Sequence, residues 1–255
     1  MSNCLKIGLA AFGLLALAGL ASAAPDTVTE TRPLEARVVR IKIDGMVDLR
    51  VRQGYPASLV LSGDPRWLAS LTTVQSGDTV VIGSGTHEMR MQRKNGARAE
   101  IVLPNLREVS SGSVGTTEIS GFKGDELELS LDGAGSMNAN VDFRLINASL
   151  GGVGSMKLAG MNSERIMLDL QGAGYVTLLG RSQSLRAELA GLGSLDARQF
   201  SADAVTLELS GLGNATITAH QSANLNLSGM GSVTVYGKPL NRRASIDGLG
   251  KVNWK

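Results

Sequence analysis

Three observations predict an all-β fold, a right-handed parallel β-helix (solenoid) closed at its N-terminal side by an irregular β cap. A Gly-x-Gly string recurs at near-constant spacing along the second half of this 255-residue chain. Apolar residues alternate at period two on both sides of each string. Glycine is abundant at 32 residues and proline scarce at 6, with few aromatics, which favours tight turns between short strands over Pro-rich linkers.

The strings are LDGAGSMNANV from Leu131, LGGVGSMKLAG from Leu150, LQGAGYVTLLG from Leu170 and LAGLGSLDARQ from Leu189. They continue with LSGLGNATITA from Leu209, LSGMGSVTVYG from Leu227 and IDGLGKVNWK from Ile246. A degenerate first copy, SSGSVGTTEISG from Ser110, carries one extra residue between its glycines. The second glycine falls at Gly115, Gly135, Gly154, Gly174, Gly193, Gly213, Gly231 and Gly250, at intervals of 18 to 20 residues. A fixed period of this length marks a repeat architecture.

Each copy reads as strand, corner, strand. Leu127, Leu129 and Leu131 alternate before one corner, Ile166, Leu168 and Leu170 before another, and Val205, Leu207 and Leu209 before a third. After the corners come Met137 and Ala139, Met156 and Leu158, Val176 and Leu178, Val233 and Val235. Period two means strands with one buried face, and no copy has room for a useful helix. A single rung cannot bury its apolar face alone. Stacked rungs about 4.8 Å apart share one interior, and the crossover preference makes the stack right-handed.

At the corner the spacing of apolar positions changes to three, so the chain bends on both sides of the middle residue. Glycine there accepts backbone angles that side chains forbid and lets rungs approach closely. The middle residue (Val114, Ala134, Val153, Ala173, Leu192, Leu212, Met230, Leu249) is apolar in all eight copies. It is therefore expected to point inward.

Before the repeats the strands persist but the period is lost. Val39, Ile41 and Ile43 alternate, then Val47, Leu49 and Val51, then Leu59 and Leu61. Val80 to Ile82 reads as a denser buried run, and Ile101 to Leu103 leads into a turn at Pro104-Asn105. The expected organisation is a signal peptide over 1–23, a β cap over 24–104 and β-helix repeats over 105–255, with 24–255 one continuous domain.

The signal segment rests on Lys6, the apolar or small run Ile7 to Leu20, and the small-x-small site Ala21-Ser22-Ala23. The run is too short for an ordinary transmembrane span. Cys4, the lone cysteine, lies inside the signal segment ahead of that run, so the processed chain stands without disulfides. With Lys6 removed from the 25 Lys and Arg, 24 remain against 23 Asp and Glu. That balance gives no electrostatic ground for nucleic-acid binding. The expected location is the periplasm or the cell surface.

IDGMVDLRVRQG from Ile43 to Gly54, LPNLREVSSGSV from Leu103 and the recurring L-x-G-x-G together carry a family resemblance. The chain resembles the auto-transporter adhesin head GIN domain family, DUF2807, over nearly all its processed length. The resemblance implies a β-helical protein of the bacterial envelope. Neither the long passenger nor the C-terminal barrel of a full autotransporter is expected here.

Candidate chemistry is sparse. Gly-x-Gly repeated with no following helix is a corner motif and not a phosphate loop. The calcium-binding nonapeptide pattern fails because its Asp is missing after the second glycine. His87 and His220 are too few for a metal cluster, and no serine has a nucleophile-elbow context. No catalytic residue, metal ligand or cofactor is assigned.

Aligning rungs places Asp169, Glu188 and Glu208 in one outward column, with Ser149 below and Asn226 above. Stacked carboxylates at that spacing attract a cation or sugar hydroxyls; the bland alternative is a solvated face eased by Arg186 in the next column. Tyr175 and Tyr236 fall outward, where rings stack on sugars, whereas Trp254 falls inward over the last rung. Arg90 to Arg98, with its Asn95-Gly96 turn signal, reads as an exposed loop.

The expected function is a non-catalytic envelope binding or structural module, adhesin-like, offering a solenoid face to polysaccharide or protein. Its binding candidates are Asp169, Glu188, Glu208, Tyr175 and Tyr236. The alternative is a carbohydrate-active β-helix enzyme using the stacked carboxylates. Unpaired strands at the solenoid ends also open a route to homo-oligomers.

Overall fold

The computed structural model describes residues 27–84 and 96–255. The expected signal segment with Cys4, as well as His87 and the basic stretch up to Asn95, lie outside them; Arg98 at its end sits in a strand. Among the described residues no helix is long and apolar enough to cross a membrane.

The chain begins with β1 (Val28–Arg32), β2 (Arg40–Ile43), β3 (Val47–Gln53) and β4 (Ser58–Gly63). A short helix α1 (Pro65–Ser70) follows, then β5 (Leu71–Ser76), β6 (Thr79–Ser84), β7 (Ala97–Leu103) and β8 (Glu108–Ser111). The long wrapping strands are β9 (Thr116–Leu131), β10 (Ser136–Leu150), β11 (Ser155–Leu170), β12 (Tyr175–Gly191), β13 (Ser194–Gly211) and β14 (Asn214–Gly229). The last rungs are β15 (Ser232–Tyr236), β16 (Asn241–Gly248) and β17 (Lys251–Trp254).

From β9 to β14 each strand pairs in parallel with the next, and the leucine columns lie in register. Leu131 faces Leu150, Leu150 faces Leu170, Leu170 faces Leu189, Leu189 faces Leu209, and Leu209 faces Leu227. This is the predicted β-solenoid. Each rung's apolar face is covered by its neighbours, and the columns merge into one core running the length of the molecule. Bulges between the two straight segments of each rung carry the second bend, where Phe122, Phe143, Met161 and Phe200 are buried.

The cap explains why the period fades before Pro104. β2 and β3 stack in parallel on β8 and β9, with Ile41 on Val109, Ile43 on Ser111 and Val51 on Ile119. β6 and β7 stack on the other side of β2 and β3. The spatial order of these layers therefore differs from their order in sequence. Antiparallel β1, β4 and β5 lie beyond, and α1 folds in with Leu68 buried and Trp67 against the core. Val80 and Ile82 are buried, but Val81 between them is exposed, so the expected dense run is an ordinary alternating strand.

The corner requires a second correction. All eight middle residues point outward: Val114, Val153, Leu192, Leu212, Met230 and Leu249 are exposed by 51 to 80%, and Ala134 and Ala173 are exposed too. The glycines take the crowded positions instead. A Cβ on Gly152 would sit 2.0 Å from the Gly133 carbonyl oxygen, and one on Gly172 would sit 2.0 Å from that of Gly152. A Cβ on Gly193 would strike Leu170 Cδ2 at 2.3 Å. Inner leucines and neighbouring backbone fill the inside of the bend, so the middle side chain has only solvent to enter.

Candidate functional site

The register brings the acidic column together as expected. Ser149 faces Asp169, Asp169 faces Glu188, Glu188 faces Glu208, and Glu208 faces Asn226. These positions alternate with buried leucines, which fixes them on the outer face of the sheet. In the next column Asn147, Met167, Arg186 and Thr206 stack in the same way.

Two of the carboxylates are held by one arginine. Arg186 Nε and Nη2 donate to Glu188 Oε1 at 3.0 and 2.8 Å, and Nη2 also donates to Glu208 Oε1 at 3.2 Å. One guanidinium thus bridges two rungs, and the Glu188 hydrogen bond, then both carboxylate charges, hold its pKa above the ordinary arginine value. Gln171 Nε2 donates to Asp169 Oδ2 at 2.8 Å. Beside this network lies an open groove of about 320 Å³ lined by Glu128, Asn147, Ser149, Met167, Asp169, Arg186 and Glu188. Met167, 45% exposed, gives it an apolar floor beside polar walls. Carboxylate, guanidinium and amide groups next to apolar surface suit the mixed faces of a sugar.

The two tyrosines behave differently. Tyr175 is half-exposed, and its hydroxyl donates to Asp196 Oδ2 at 3.2 Å. Burial, then the Asp196 charge, raises the phenol above its usual pKa. Tyr236 has Arg198 4.9 Å and Lys255 5.8 Å from its ring centroid, so cations already occupy its π system. Neither tyrosine lines the groove. Trp254 packs against the core beneath the Arg242 guanidinium, 5.2 Å from its ring, in the covering position expected for it.

His220 Nε2 lies 2.7 Å from Ser201 Oγ on an exposed face. Among the described residues no cluster of His, Cys, Asp or Glu is arranged to hold a metal ion. Glu128, Asn147, Met167 and Gln171 are site residues that sequence reasoning did not single out. The column alignment that found Asp169 also placed Met167 outward, at a position where a polar residue is usual.

Among proteins of curated function, none matches the chain in sequence. Solved structures share its fold. A putative adhesin from Bacteroides fragilis NCTC 9343 superposes with a TM-score of 0.70 at 19% identity, covering 91% of this chain and 98% of that one. A putative lipid binding protein from Parabacteroides distasonis ATCC 8503 gives 0.81 at 17% identity, covering 90% and 97%. A putative adhesin from the same organism gives 0.75 at 17%, again covering 90% and 97%. The family model described as "Putative auto-transporter adhesin, head GIN domain" matches residues 39–164 and 154–239. With most of the cap and most of the rungs inside that match, the chain belongs to the DUF2807 head GIN domain family.

Proposed function

We propose that the protein is a non-catalytic, adhesin-like binding module of the bacterial envelope, exported to the periplasm or cell surface. It presents the groove beside Asp169, Glu188 and Glu208 to a polysaccharide. The observation that carries this reading is the Arg186 bridge. A glycoside-cleaving pair needs one carboxyl to deliver a proton to the leaving oxygen, whereas Glu188 and Glu208 both accept hydrogen bonds from one guanidinium. An ordered row of acceptors and donors is suited to holding hydroxyls. The strands around it, 15 to 18 residues long and joined by corners of a few residues, leave no long loops to wall a catalytic cleft.

A glycan array probed with the exported, processed chain tests the proposal. Binding to a defined set of glycans is expected, weakened at least about tenfold in Glu188→Gln/Glu208→Gln. Array-wide silence, or equal binding by that variant, removes the groove reading. Release of shortened glycan by the wild type alone establishes the enzyme alternative.

A further inference from the structure

The outward corner residues form a surface that the groove does not use. Four residues on from the acidic column, each rung exposes one apolar side chain just before the second glycine of its corner, and successive rungs align them. Backbone bonds such as Leu212 N to Gly191 O, Met230 N to Gly211 O and Leu249 N to Gly229 O keep the row in register. The row extends into the cap, where Val114 N bonds Gly45 O and half-exposed Met46 takes the equivalent place. The inside of the bend is full, so nothing in the fold requires an apolar side chain at these positions. Solvation disfavours one at each of them. Repeated at every rung, it marks an interaction edge.

The shape and charge of this edge point to its occupant. It is one side chain wide; at its cap end Met46, Val114, Ala134 and Val153 border a depression shared with Asp48 and Gly96, which Leu192, Leu212 and Met230 do not line. A strip about 38 Å long at ~4.8 Å per rung offers roughly 400 Å², about half of the ~800 Å² per partner in a stable protein pair. A second copy of the chain is therefore a poor fit, and a folded partner needs a pre-cut groove. A bilayer needs none, because its acyl boundary closes around an inserted ridge.

From Val153 to Met230 the flanks carry no charge: Gln171, Ala190, Ser210 and Ser228 lie on one side, and Ser155, Tyr175, Ser194, Asn214 and Ser232 on the other. Hydroxyls, amides and one tyrosine match the headgroup level. We propose that this ridge docks the solenoid lengthwise on a lipid bilayer, led by Leu192, Leu212 and Met230.

Co-sedimentation with vesicles of phosphatidylethanolamine and phosphatidylglycerol tests it, using the exported chain after mass spectrometry confirms loss of residues 1–23. The wild type is expected to pellet with lipid at low and high salt alike, and Leu212→Asp/Met230→Asp to lose at least about tenfold in partitioning. Circular dichroism checks the fold of that variant, and Leu212→Ser/Met230→Ser replaces it if the aspartates perturb folding. A wild type that stays in the supernatant overturns the proposal, as does binding that salt abolishes or that both variants retain. Light scattering that shows a wild-type dimer split by the same substitutions assigns the ridge to a second copy and overturns it equally.

Discussion

At Gly152 one methyl group has nowhere to go, while one residue later a whole isopropyl group stands in solvent. The contrast yields the sharpest residue-scale predictions. Gly152→Ala forces a backbone shift against the Gly133 carbonyl and is expected to cost about 2–4 kcal/mol in denaturant unfolding. Ala173→Leu, at an exposed middle position, is expected to stay within about 0.5 kcal/mol. Equal costs at the two sites would contradict the corner geometry.

In the same way Leu209→Asp, which buries a charge in a core column, is expected to prevent folding. Leu212→Asp, at an exposed position, is expected to leave the melting curve nearly unchanged. Period-two alternation made Leu209 legible from sequence. At Leu212 apolarity does not signal burial, because a corner flanked by glycines has its interior filled by backbone and by the leucines before it.

Single elements show where legibility ends. The rung strands were readable because each repeats its neighbour, and the acidic column followed from the same register. The cap was not readable in detail, since β2 and β3 lie between layers that come later in the chain. Nor was α1, whose six residues contribute Leu68 to the core with Trp67 packed against it; its signals are local, with Asp64 Oδ1 accepting from Arg66 N at 2.9 Å and Pro65 at the first turn.

Arg32 fastens this end. Its Nη1 donates to Leu71 O at 2.8 Å and to Thr73 Oγ1 at 2.7 Å, and its Nη2 donates to Leu68 O at 3.3 Å. Arg32→Ala is expected to cost about 1–3 kcal/mol and to speed amide exchange across α1 and β5 while the rungs beyond β9 keep their protection. Uniform acceleration along the whole chain would show instead that the cap and rungs open together.

At the scale of the whole molecule, stacking turns a 19-residue habit into long files of like chemistry. The inner files are leucine and make the core. The outer ones differ from face to face, with a carboxylate row clasped by Arg186 on one and an apolar edge at the corner. The Arg186 clasp predicts interdependence: Arg186→Ala frees two stacked glutamates to repel each other and is expected to weaken glycan binding as much as loss of the glutamates does, with little change in stability because the groups are half-exposed.

Calorimetric titration of the processed protein with a glycan selected from the array bears most directly on the binding-module account. Saturable heat that ends with site occupancy, reduced at least about tenfold in affinity by Arg186→Ala, is the expected result. A sustained heat of hydrolysis that disappears in Glu188→Gln would contradict it and make the acidic row a catalytic one.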